Sequence, residues 1–523
     1  MFFEITQQKI IRITAVALFL IFATVSSIAL DNRFNLREKS SIVFQSLKSS
    51  FNYLPHQLAS VGAYNMNNTG TSTPRAKSVP ILLYHAIPTD KNTLEDKEEE
   101  RTFPINLLDF INQMQTLKKN GWHTVSLEDL QAFMSGDKSL PDKSFVLTFD
   151  DGIKSSFYNV DPVLKDLNWN AVMFVPTDSA FNTNKNKDST YYLSEEELKH
   201  MVETGRWEIE SYGASASTWQ IISEDGGEGH FLSNKIWLND KARLENNSEY
   251  IDRITYDLKV SQKALETRLG IDVNAFAYPF SDFGQESKNF DGAKTIISSL
   301  VPKIYDMSFY QTWPSIAEIF NYPDPSSKFF KLRRIEPTPD WDSDKLMGEL
   351  DRGKAKELPY ISDSFGEEWS GTWGNIERGD SLIMEAQAGE AGSAVFLNGS
   401  YWWEDYYLKI LASWNNEASV SLTVRGQDED YYACVFSKDL VAIRERVNGN
   451  VNTLDTKDFD INNTENVSLG ARVNGNSLEC LVDDVSILKN GSFENLFYNG
   501  SVGIQVWEED GNAKLIVYEA SIQ

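Results

Sequence analysis

The chain has 523 residues, room for roughly three to four domains of about 150 residues, and its 41% hydrophobic and 12% aromatic content can fill more than one core. Lys and Arg total 49 against 76 Asp and Glu, a formal charge of −27, which argues against a nucleic-acid binder and equally disfavours adhesion to anionic lipid. Two cysteines exclude a disulfide scaffold and a Cys-rich zinc module.

Lys9 and Arg12 precede an uncharged, mostly apolar run from Ile13 to Leu30, at the lower limit of a bilayer-spanning helix. The positive flank keeps that end cytoplasmic and sends the rest outward. Ser27-Ile28-Ala29 has the small-x-small form of a signal-peptidase site, so residues 1–30 read as a signal anchor or a cleaved signal. The expected location is extracytoplasmic, membrane-anchored or secreted. Residues 31–78 are polar and read as linker, most plainly from Tyr64 to Pro74.

From Val79 to about residue 350, apolar strands alternate with helices. Val79–His85, Phe145–Phe149, Ala171–Val175, Trp207–Ser211 and Ala275–Pro279 read as strands. Leu107, Phe110, Ile111, Met114 and Leu117 mark one helix, closed by Gly121; Ile251, Ile254, Leu258, Leu265 and Leu269 mark another, closed by Gly270. This alternation implies a parallel sheet covered on both faces, doubly wound or a barrel, with its active site at the C-terminal strand ends.

One such end carries Asp150-Asp151-Gly152. Neighbouring strand side chains point to opposite faces, so the two carboxylates converge only through a break in the strand, which Gly152 supplies. One carboxylate then suits a divalent cation and the other a proton from metal-bound water. A helix cap followed by a turn is the competing reading.

The stretch Phe145-Val146-Leu147-Thr148-Phe149-Asp150-Asp151-Gly152 resembles the first motif of the polysaccharide deacetylases, the NodB homology domain of carbohydrate esterase family 4. Ile81–His85 and Asn120–Leu127 resemble further family segments. Phe276–Phe283 resembles the third motif as seen in poly-N-acetylglucosamine deacetylases. The resemblance implies a distorted (β/α) barrel of NodB type that removes acetyl groups from N-acetylated glycans with a zinc-type divalent metal held by Asp-His-His. Asp150 falls on the general base and Asp151 on the metal-ligating Asp. His85, Tyr278, Pro279, Asp282 and Arg334 fall on or near the substrate groove.

The chain departs from that pattern at the metal. Tyr212 stands at the first histidine position, and Ala216 or Ser217 at the second. Ala277 replaces a frequent Arg, for which Arg333 or Arg334 is a candidate substitute. Of five histidines, only His230, in a glycine-rich insert, follows the second motif as a replacement ligand. The expectation is a metal site lost or strongly weakened. The protein is then either a polysaccharide N-deacetylase with a remodelled centre or a catalytically silent glycan binder. No Gly-x-Ser-x-Gly elbow supports a metal-free esterase.

From 361 to 523 short alternating strands follow one another, with Asn448-Gly449 and Asn474-Gly475 as hairpin turns. An antiparallel β-sandwich is expected, similar in pattern to concanavalin-like jelly rolls. Cys434 and Cys480 form a bridge if their strands are neighbours, and are otherwise buried thiols. Five aromatics crowd Tyr401–Tyr407. Sugar rings stack on such faces, which marks Trp402, Trp403 and Tyr406 as glycan-binding candidates. The expected partners are a polysaccharide or cell-envelope glycan, and the membrane through the N-terminal segment.

Overall fold

The computed structural model describes residues 40–50, 53, 74–89, 104–181, 191–312 and 318–523, apart from 416, 428–429, 448, 462 and 492–497. The apolar run of residues 13–30, and most of the predicted linker, lie outside the described residues. Among the described residues, no helix is long and apolar enough to cross a membrane.

Seven parallel strands close into a barrel. They are β1 (Ile81–Tyr84), β2 (Ser144–Phe149), β3 (Ala171–Val175), β4 (Trp207–Ser211), β5 (Ala275–Ala277), β6 (Met307–Thr312) and β7 (Phe330–Ile335). The ring runs in chain order and shuts where β1 pairs with both β2 and β7. Two joints are thin: β4 meets β5 only at Ser211↔Phe276, and β7 meets β1 only at Ile335↔Leu82. The barrel is therefore the distorted (β/α) form that the resemblance implied.

Strand alternation sorts its side chains into two cores. Val146, Val172, Phe174, Ala277, Phe309 and Leu332 fill the interior. Phe145, Leu147, Phe149, Met173 and Phe276 face outward under the helices. The helix α1 (Leu107–Lys119) is capped by Asn106, whose side chain accepts the Asp109 N–H. The helix α2 (Asn247–Leu269) opens on an Asn246/Glu249 capping box and ends at Gly270, where φ of 69° suits glycine. One part of the predicted linker is structured: Ser40–Ser50 is helical, and Tyr53 is buried with its hydroxyl donating to Asp166 at 3.0 Å.

The C-terminal half is a β-sandwich of two antiparallel sheets. One has Tyr406–Trp414 and Lys514–Ile522 at its centre, the other Ser419–Gln427 and Ser501–Trp507. Cys434 and Cys480 form a disulfide with Cα atoms 5.6 Å apart. Their strands are not neighbours as the sequence reading required. They belong to opposite sheets, and the bond crosses the sandwich core.

The aromatic run does not form a glycan platform, which corrects the expectation for Trp402, Trp403 and Tyr406. Trp403 and Tyr406 are buried in the sandwich core, where the Tyr406 hydroxyl accepts the Arg425 N–H at 2.9 Å. Trp402 packs against both cores, and its indole N–H, like that of Trp403, donates to the Lys356 carbonyl at 2.9 Å. Tyr401 stacks on Tyr322 of the barrel at 5.3 Å, and Lys77 sits 3.9 Å over the Trp402 ring. Strand alternation needs two environments for such a run, and the second here is the barrel rather than solvent. Trp402→Ala should thus loosen the seam, costing about 2 kcal/mol. Calorimetry should show the barrel and sandwich transitions moving apart, with glycan affinity unchanged.

Candidate active site

The centre of the barrel mouth is a buried ion pair. Asp150 leaves the end of β2 on the inward side, following Val146 and Thr148. Arg334 of β7 is wholly buried, and its Nη1 and Nη2 lie 2.6 and 2.7 Å from the two Asp150 carboxylate oxygens. This fork-to-fork geometry is the strongest form of the pair. Arg334 is therefore not part of a groove surface. It supplies the positive charge that the Ala277 position lacks.

Asp151 turns away from the strand with φ of 68°, and Gly152 follows at 63°. The break expected at Gly152 thus begins one residue earlier, on Asp151 itself. The Asp151 carboxylate is half-buried and makes no hydrogen bond or ion pair with any described residue. Burial, opposed by His85 and reinforced by Asp150, raises it to about 6.

His85 lies at the same mouth, its side chain 13% exposed and its Nδ1 2.8 Å from Glu336 Oε1. The contact is an ion pair rather than an aligned hydrogen bond. Burial opposes the imidazolium, but Glu336, with Asp151 and Asp150 behind it, overrides this and lifts His85 to about 9. A raised folded value means that the fold favours the proton. The stabilisation is full below about pH 6.5 and fades as pH rises through about 9. Proton NMR of His85 should titrate near that value, and Glu336→Gln should lower the midpoint. Sequence reasoning missed Glu336, although a carboxylate directly after a barrel strand is the same signal that exposed Asp150.

Tyr212 continues β4 into the barrel interior. It is 4% exposed, packs with Phe174 and Ala277, and its backbone N–H donates to the Val175 carbonyl at 3.1 Å. Burial first, then Asp150 and Asp151, push its phenol well above the ordinary tyrosine range, so it stays neutral. Its hydroxyl has no partner among the described residues. The turn beyond is fixed by Asp257 of α2, whose carboxylate accepts the Ala214 and Ser215 N–H groups at 3.1 and 2.7 Å. Gly213 has φ of 79°, and a Cβ there would stand 2.4 Å from the Ala216 methyl. Ala216 is thereby pressed into the helix-side core, while Ser217 stays half-buried.

The remaining groove candidates are placed differently from the sequence reading. Tyr278 is buried among Phe276 and Phe283 on the helix side. Pro279 is buried at the start of a short 3-10 turn. Asp282 is wholly buried and holds His230, its Oδ2 2.6 Å from His230 Nδ1, and it also accepts from Ser233 and from Gly284 N–H. Burial would raise its carboxyl, but His230 and Ser233 hold it below the usual range. The glycine-rich insert carrying His230 is a hairpin, Trp219–Ile221 against Glu228–His230, not a free loop. His230 stacks on Phe280 at 4.4 Å.

These donors do not fit the metal that the resemblance implies. Zinc-type sites take imidazole, thiolate or carboxylate donors converging on one point. Here Asp151 is one carboxylate donor, but a neutral phenol and a small side chain stand where the resemblance puts the two imidazoles, and His230 is held by Asp282. Among the described residues, no three His, Cys, Asp or Glu side chains converge to hold a cation.

The chain is similar to known proteins over part of its length. Residues 137–293 match the family model described as polysaccharide deacetylase. The poly-beta-1,6-N-acetyl-D-glucosamine N-deacetylase of Escherichia coli (strain K12) is 25% identical over 200 residues, 36% of this chain and 30% of that protein. The protein of the same name from Staphylococcus aureus (strain N315) is 27% identical over 184 residues, 35% of this chain and 56% of that one. The chain thus spans about a third to about half of the length of these relatives. Among solved structures, a de-N-acetylase from Aggregatibacter actinomycetemcomitans aligns at 20% identity with a TM-score of 0.43, over 52% of this chain and 99% of that one.

Proposed function

We propose, from the match of residues 137–293 to the polysaccharide deacetylase model, that the chain is an exported protein of that family that binds an N-acetylglucosamine polymer and has lost metal-dependent hydrolysis. The observation that carries this reading is Tyr212, a buried neutral phenol where the resemblance puts the first histidine, in a barrel whose Asp150 carboxylate is paired with Arg334. The substrate class follows from the names of the relatives. The Cys434–Cys480 bridge supports an oxidising compartment outside the cytoplasm, as does the apolar run after Lys9 and Arg12.

Metal analysis and acetate release test the reading together. The purified protein should hold no stoichiometric zinc, and on β-1,6-linked N-acetylglucosamine oligomers it should release acetate no faster than Asp150→Asn. Tyr212→His with Ser217→His should recover zinc binding, because two imidazoles supply most of the affinity of such a site. Brisk, chelator-sensitive deacetylation by the unmodified protein would overturn the loss of hydrolysis. In that case His230→Ala becomes the decisive substitution.

A further inference from the structure

The mouth is anionic and has one acceptor set unused. Three carboxylates, Asp150, Asp151 and Glu336, share it with two cations, Arg334 and His85, and each cation already has a carboxylate of its own. Asp151 is left over, half-buried and without a hydrogen bond or ion pair of its own, drawn only by cations that Glu336 and Asp150 already hold. The second observation is independent of it. Tyr212 is 4% exposed, its hydroxyl also lacks a partner, and it feels Asp150 and Asp151 more strongly than any other charged group.

From this geometry we propose that the mouth recognises the free 2-ammonium of a glucosamine unit, the de-N-acetylated form of the sugar, with Asp151 as its anionic partner and Tyr212 as a second acceptor. The inference rests on the glycan reading above and narrows it to one form of the sugar. A primary ammonium is a compact cation with three donors and no acceptor. It needs oxygen acceptors and a net negative surround, and it needs no imidazole. Those are what remains once the two histidine positions are lost. An acetamide in the same place brings no charge, so it would cover Asp151 and leave that carboxylate unpaired. Leaving a charged group unsatisfied on burial costs enough to separate the two sugars by about tenfold or more. The site would thus hold the product of the family's reaction rather than its substrate.

Titration calorimetry of the full-length protein in EDTA tests this, using a β-1,6-linked glucosamine tetramer and its fully N-acetylated counterpart. An acidic chain attracts any oligocation, so Asp252→Asn, on the exposed face of α2, serves as the charge-matched control. The amine tetramer should bind about tenfold or more tighter than the acetylated one. Asp151→Asn should abolish that preference with the melting profile retained, and Asp252→Asn should leave it unchanged. Tyr212→Phe should weaken the amine tetramer selectively. Equal affinity for the two tetramers, or a preference that survives Asp151→Asn, overturns the proposal while leaving glycan binding intact. Binding of neither tetramer overturns both. Equally tight binding of Nα-acetyl-lysine amide overturns the assignment to a sugar.

Discussion

Arg334→Leu should lower the unfolding free energy of the barrel by about 3–5 kcal/mol, the range for removing one partner of a buried ion pair. Arg334 is wholly buried and Asp150 is 1% exposed, so no water replaces the lost guanidinium. The asymmetry is the informative part. Adding Asp150→Asn to Arg334→Leu removes the stranded charge, and the double variant should recover a large share of the loss. Urea unfolding of the four proteins measures it, with a coupling energy of at least about 2 kcal/mol expected. Additive losses would mean that the two side chains do not form the pair. The Thr148 hydroxyl is not free to take over, because it already donates to the Leu82 carbonyl at 2.8 Å.

That pair was only half legible in the sequence. Asp150 announced itself, because two carboxylates at the end of an apolar strand are costly unless used. Arg334 announced only a charge, since β7 reads Phe330-Lys331-Leu332-Arg333-Arg334-Ile335 and periodicity alone leaves two arginines on opposite faces. The inward one is chosen by register: Leu332 faces the barrel interior, so Arg334 does too. Tyr212 was legible through its neighbours, because the β4 strand and the motif spacing fix its place. His230 was not. Its glycines mark only an insert, whereas Gly229 lies against Asn234 and Ile222 inside a paired hairpin, and Asp282 claims the imidazole. The run Tyr401–Tyr407 failed for a different reason. Composition shows that such aromatics need burial or a ligand, and it does not show that another domain will cover them.

The barrel mouth and the seam also divide the labour of the fold. The ends of β1, β2, β4 and β7 gather His85, Asp150, Tyr212 and Arg334 at one end of the barrel. Contacts to the sandwich include Lys77, Tyr322 and Glu318, beside the start of β1 where Val79 pairs with Asn321, together with Arg352 on Ser370 and Arg333 of β7, 5.3 Å from the Tyr401 ring. Glu318 accepts the Gly399 N–H at 3.1 Å, and burial raises its carboxyl to about 7. A ligand at the mouth therefore need not displace the sandwich.

Reducing Cys434–Cys480 should be the largest single loss in the sandwich. The two cysteines are 46 residues apart in sequence, and closing a loop of that length restricts the unfolded chain by about 4 kcal/mol in the chain-entropy account. Both side chains are wholly buried, with Leu422, Ile443 and Leu469 in the same core. Reductant alone should therefore leave the folded protein oxidised, and the bond should open only once denaturant exposes it. Guanidinium unfolding with and without phosphine reductant gives the comparison. The reduced sandwich should unfold at lower denaturant, and the slope of its transition should steepen because the freed loop exposes more surface. The barrel transition should not move, since no residue of the bridged strands belongs to the barrel cores. Cys434→Ala with Cys480→Ala should reproduce the shift without reductant. An unchanged sandwich midpoint on reduction would mean that the packed sheets alone set its stability, with no contribution from the bond between them.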